Sequence, residues 1–129
     1  HLRKALTTAT ARPRLAIVQA LGGLRDAAAT DALLQAATDP DTDVRLAAIW
    51  SLSRAGVVAA IDVVTKATDA PENWPRTQAT RAAFLLAETL AAAGQKPDAT
   101  CIFRHLIDTR TDPKEAHVRA AAEAGLAAM

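Results

Sequence analysis

Four stretches of the sequence fall into register with one another. Placing Arg14, Arg45, Ala83 and Arg119 in one column aligns Leu21, Leu52, Leu90 and Leu126 seven residues later. The same alignment matches Ala16, Ala47, Leu85 and Ala121. The copies follow one another at 31, 38 and 36 residues. That period fits two short helices with their turns, and such a unit cannot bury its apolar face alone. It must stack on its neighbours. Small residues at matched positions let helices approach closely, while Leu and Val fill the space between layers. The pattern predicts an all-α fold of stacked antiparallel helix pairs, an α-solenoid.

Composition points the same way. Alanine supplies 33 of the 129 residues, glycine only 5 and proline 6, which favours helix. Trp50, Trp74, Phe84 and Phe103 are the only aromatics, so the enrichment that marks sheets is missing. Helical spacing and punctuation divide the chain into about eight helices. The expected spans are residues 1–8, the tail of a preceding helix, then 13–24, 26–38, 44–55, 57–68, 75–93, 97–109 and 114–129. Pro13 suits a first turn, and Asp26 is a candidate N-cap. Ala29, Leu33, Ala36 and Ala37 form the stripe of the third helix. The longest break, Asp69-Ala-Pro-Glu-Asn-Trp-Pro75, holds two prolines and an Asn, the residues of a turn.

Several functional classes are excluded. One cysteine rules out a disulfide framework and a multi-Cys zinc module. Fifteen basic against fourteen acidic residues give a net charge of +1, which weighs against a nucleic-acid binder with its basic face. No apolar run approaches the roughly 20 residues that span a bilayer, so membrane insertion is not expected. The chain reads as one helical-repeat domain over residues 1–129. Because it starts at His1 with no leader pattern, it reads as a processed product or, in preference, a segment of a longer protein. Its compartment stays open.

The run Asp39-Pro-Asp-Thr-Asp-Val-Arg-Leu-Ala-Ala-Ile-Trp-Ser-Leu52 resembles a HEAT repeat, above all in Asp39, Val44, Arg45, Ala47, Ala48 and Leu52. It is most similar to the short HEAT-like repeats named from phycobilisome lyases. The resemblance implies a right-handed α-α superhelix of the HEAT/armadillo type, with an Asp–Arg contact between Asp39 and Arg45. His117-Val-Arg-Ala-Ala-Ala-Glu-Ala-Gly-Leu126 looks like the start of the same second helix. Six before its Arg119, however, stands Pro113, with Asp112 one step out. In the middle, Leu85-Leu-Ala-Glu-Thr-Leu-Ala-Ala-Ala-Gly94 with Ala99-Thr-Cys-Ile-Phe103 is similar to a tetratricopeptide pair. HEAT-like arrays serve as scaffolds, lyases and transport factors, so the likeness implies a scaffold and no particular reaction.

Candidate chemistry is sparse. Cys101 and His105 share a helix face but have no further ligands nearby, and a buried Cys with a rim His is the expectation. His117 reads as a solvated first-turn residue. Asp39, Asp41 and Asp43 alternate like a calcium loop, yet Val44 and Trp50 occupy the positions that require Gly and Glu. Helix capping and pairing with Arg45 account for these carboxylates. No catalytic residue, metal site or cofactor is expected, and no Gly-rich phosphate loop or Gly-x-Ser-x-Gly elbow occurs.

One helix face stands out. Val44, Ala47, Ala48, Ser51, Leu52 and Ala55 define one side of their helix; Leu46, Trp50, Ser53 and Arg54 project from the other. An aromatic beside an arginine is a common binding anchor. With the resemblance placing second helices on the inner surface, these four residues and Trp74 are the expected partner-binding set. Packing of Trp50 against the next repeat, and stapling of a helix start by Trp74, are the structural alternatives. The function expected is a non-catalytic scaffold for a protein or peptide partner, or for another domain of the parent chain, held on the concave surface. A lyase or chromophore-binding domain, or a nucleic-acid-binding one, are the alternatives the resemblance allows. The apolar end, Ala-Gly-Leu-Ala-Ala-Met129, lacks the polar cap of a terminal repeat. Its helix is therefore expected to pack on further sequence or on a second copy.

Overall fold

The computed structural model describes Val18 and residues 27–129. Helix α1 spans Ala27–Ala36 and α2 Thr42–Ala55. A 3-10 turn, Val58–Ala60, leads into α3, Ile61–Ala67. Helix α4 runs Asn73–Ala92 and α5 Lys96–Thr109; a second 3-10 turn, Pro113–Glu115, opens α6, Ala116–Ala128. All regular structure among the described residues is helical. These six helices match the last six expected. The spans at residues 1–8 and 13–24, and the Asp26 cap, lie outside the described residues. No helix among the described residues is long and apolar enough to cross a membrane.

Local chemistry sets the helix ends. The Asp41 carboxylate accepts from the Val44 N–H at 3.1 Å and caps α2, which starts at Thr42 rather than at the expected residue 44. Asp43 lies in that first turn and Arg54 in the last, each favourable to the helix dipole. Gly56 closes α2 at φ 67°, a left-handed conformation costly for residues with a Cβ. A Cβ there would also lie 2.9 Å from the Thr89 methyl carbon. The end of α2 thus touches the last turns of α4. Helix α4 begins at Asn73, before Pro75 rather than at it, because a proline in the first turn forfeits no helical hydrogen bond. Gly94, at φ 85°, ends this helix, and the Gln95 N–H donates to the Leu90 carbonyl at 2.8 Å.

The helices form antiparallel pairs, and α4, the second helix of its pair, packs most extensively on α2, the second helix of the pair before. Helix α1 buries Ala29, Leu33 and Ala36, and the turn that follows it buries Ala37, as the spacing predicts. On α2 and α4 the aligned Leu52 and Leu90 are buried; so are Ala48 and Leu86 three residues into each copy. Ala79, Ala82, Ala83 and Ala87 line the rest of α4's inner face, and their short side chains permit the close approach. Helix α6 differs: Ala122 alone is fully buried, with Val118, Gly125 and Leu126 half-buried. It leans on α5, where a Cβ at Gly125 would lie 2.6 Å from the Phe103 ring. Phe103 in turn meets Phe84 of α4, ring centroids 6.2 Å apart.

Four expectations are corrected. Leu46 and Ser53 are buried, at 5% and 0% exposure, because α2 is covered on both flanks; neither belongs to a surface. Cys101 is exposed, since α5 buries the stripe Ala99, Ile102, Phe103 and Leu106 instead. Trp74 sits in the first turn of α4 at 55% exposure, so it is neither a buried staple nor a loop residue. Arg45 meets Asp39 through the main chain: its Nη1 donates to the Asp39 carbonyl at 3.0 Å, and Nη2 to the Thr42 hydroxyl at 3.2 Å.

Candidate functional site

With both flanks of α2 covered, its solvent-facing strip is narrow. Asp43 and Arg54 are exposed, and Ala47 and Trp50 between them are half-buried. That spacing places all four on one face, and Trp50 packs its inner side against the core. The matching strip of α4 is Trp74, Gln78, Arg81, Leu85 and Glu88, of which Trp74, Arg81 and Glu88 are exposed. Of the five expected binding residues, the structure therefore leaves Trp50, Arg54 and Trp74 at the surface, on two adjacent helices. Neither Arg54 nor Arg81 forms a hydrogen bond or ion pair among the described residues.

Beyond α4 the surface opens. A cleft of about 720 Å³ separates α4 from α6. One wall is Asn73, Arg76, Thr77, Thr80, Arg81 and Phe84, a face of α4 at helical spacing. Lys114, Glu115, His117, Val118 and Ala121 form the opposite wall, with Thr109 and Thr111 between them. Phe84, Val118 and Ala121 form an apolar patch across the two walls, and Pro71 adds apolar surface to the lining.

The base of the cleft is tied by an ion network that the sequence did not disclose. Arg110 is fully buried. Its Nη2 donates to the Thr68 carbonyl at the end of α3 and to the Thr80 hydroxyl of α4, the latter at 3.1 Å. Nη1 donates to the Thr109 hydroxyl at 2.9 Å and lies 3.6 Å from Asp69. Nε lies 3.4 Å from Glu115 Oε2. Glu115 is gripped on both oxygens by Arg76, whose Nε and Nη2 each donate at 2.8 Å. Asp69 also meets His105 Nε2 at 3.1 Å. One guanidinium thus connects the ends of α3 and α5 with the body of α4 and the approach to α6.

The charges in this network are biased by their surroundings. The Arg76 hydrogen bond holds the Glu115 carboxyl below its ordinary range against the opposing effect of burial, and the charges of Arg76, Arg110 and His117 add to it. The same bond raises Arg76. Burial, then the neighbouring Arg76 charge, lowers Arg110, which Glu115 and Asp69 partly offset. A guanidinium is basic enough to remain charged there. No sequence signal marks Arg110, since most arginines in soluble proteins are exposed and its partners lie 30 and 42 residues away.

Stacked helix pairs, joined through their second helices and lacking strands among the described residues, define an α-solenoid. The family of HEAT repeats matches residues 1–84, more than half of the chain. The protein belongs to the HEAT-repeat family. No curated protein matches it.

Proposed function

We propose that the chain is a non-catalytic scaffold that holds a protein or peptide segment, or another domain of its parent chain, against the exposed strips of α2 and α4. The supporting observation is the pairing of Trp50 with Arg54 on one strip and of Trp74 with Arg81 on the next, both arginines uncommitted. Aromatic and arginine side chains dominate the energetics of protein interfaces, and stacked repeats offer extended surface without reactive groups.

Affinity capture from the source lysate, with wild type and a Trp50→Ala/Arg54→Glu variant as paired baits, tests this. A partner retained by wild type and lost by a variant of unchanged helicity supports the scaffold. Loss of helicity would place Trp50 in the core and remove it from the site, and a partner held equally by both baits would remove the strip. Beyond the family match, Ala99 and Phe103 buried together on α5 support a divergent, tetratricopeptide-like pair. The exposed alanines of α6, at 116, 120, 121, 124, 127 and 128, support its packing on further helices or on a second copy. Sedimentation that stays monomeric at high concentration would contradict self-pairing.

A further inference from the structure

The cleft between α4 and α6 carries a charge pattern that neither the family nor the expected binding set assigns. Both of its carboxylates are engaged within the fold. Asp112 accepts from the Lys114 N–H at 2.9 Å and caps the 3-10 turn. Glu115 spends both oxygens on Arg76, with Arg110 behind it. The basic side chains on the walls are free by contrast: Arg81, Lys114 and His117 are exposed and form no side-chain hydrogen bond or ion pair among the described residues. With Glu115 matched by Arg76, Arg81 and Lys114 outnumber Asp112, so the cleft presents net positive charge beside an apolar patch of Phe84, Val118 and Ala121.

We infer that this cleft is the docking site for an acidic peptide segment of a protein partner, and that the segment carries one bulky apolar residue. The inference rests on the scaffold reading and names the chemistry of its partner. Carboxylates would lie between Arg81 on one wall and Lys114 and His117 on the other, while the apolar side chain covers Phe84, Val118 and Ala121. From Asn73 to Phe84 the wall is about 16 Å long at a rise of ~1.5 Å per residue, which an extended chain covers in about five residues. Complementary charge at such a rim sets partner choice and encounter rate, and the buried aromatic contact supplies the anchor. A nucleic acid fits less well: the walls also carry Asp112 and Glu115, and the patch is aliphatic apart from Phe84.

Selection of a random peptide display library on the 129-residue chain tests the inference. Enriched peptides should be acidic with one aromatic or branched aliphatic residue. Arg81→Glu/Lys114→Glu, two exposed changes that should leave helicity intact, should weaken them by at least about tenfold, the sum of two lost and reversed charge contacts. Enrichment of basic or uncharged peptides would overturn the assignment. Acidic peptides that bind this variant normally but lose affinity on Arg54→Glu would overturn the cleft and leave the scaffold standing. Recovery of no peptide would count against both. A mixed-sequence single-stranded oligonucleotide that outcompetes the selected peptides at physiological salt would overturn the peptide assignment in favour of nucleic acid.

Discussion

The layer between α2 and α4 and the layer between α4 and α6 lie between equivalent helices of successive repeats, yet they are built from different materials. Between α2 and α4, Leu52, Leu86 and Leu90 alternate with alanines, and all of these leucines are buried. Between α4 and α6 the alanines are present but the leucines are not: Ala121 stands in the column of Leu85, and Ala122 in that of Leu86. An alanine stripe lets helices approach but cannot fill a gap once another contact sets the spacing. Here the spacing is set by Phe103 against Gly125 and by the Arg76–Glu115 bridge. The second helices splay, and an open cleft of mixed polar and apolar lining takes the place of a core layer. The matched arginines tell the same story, since Arg45 grips its preceding turn, whereas Arg119, among the described residues, pairs only with Glu123 on its own helix, at 3.0 Å.

Substitutions in the two layers should separate them. Leu86→Ala leaves a cavity in the closed layer and should cost about 3 kcal/mol in urea unfolding, whereas Leu126→Ala, half-buried on α6, should cost only about 1 kcal/mol. Equal losses would mean that the α6 layer is as tightly closed as the other. Next in size, Arg110→Met keeps side-chain volume but leaves the Thr68 carbonyl buried without its donor. A loss of about 2 kcal/mol is expected, and unchanged stability would show that the network does not hold the cleft's base. Gly125→Ala drives a methyl group into the Phe103 ring and should cost about 1 kcal/mol after its gain in helix propensity. A stabilised variant would mean that α6 is free to shift.

The smallest effect is a matter of pH. The Glu115 carboxyl is held low in the folded protein, so its contribution is present above the unfolded carboxylate range and is lost as pH falls through the folded pKa. Glu115→Gln should therefore lower neutral-pH stability by about 1 kcal/mol and flatten the acid limb of the stability curve. Parallel curves for variant and wild type would show that the Arg76 bridge is not the source of the shift.

The architecture was legible in the sequence because the repeat, the caps and the glycines are local signals. Residues 27–129 carry helices where punctuation predicts them, with shifts of a few residues at Thr42 and Asn73. The binding face was only partly legible. A single helical wheel divides α2 into an inside and an outside, but a second helix in mid-stack is covered on two flanks. Leu46 and Ser53 fall on the covered flank, one step around from Trp50 and Arg54. The cleft itself was not legible, because it depends on Arg110 meeting residues from three other elements and on the spacing of α6, neither of which leaves a pattern along the chain.

The partner's acidic segment is proposed to enter the open layer beside α6, while other parts of the partner lie on the strips of α2 and α4. Backbone amide NMR shifts of the labelled chain, titrated with a selected acidic peptide, test it directly. Shifts are expected over Arg76–Phe84 of α4 and over Lys114–Ala121, from the 3-10 turn into α6, with the α2 strip around Trp50 and Arg54 unmoved by the peptide alone. Shifts confined to that α2 strip, with the cleft silent, would contradict it.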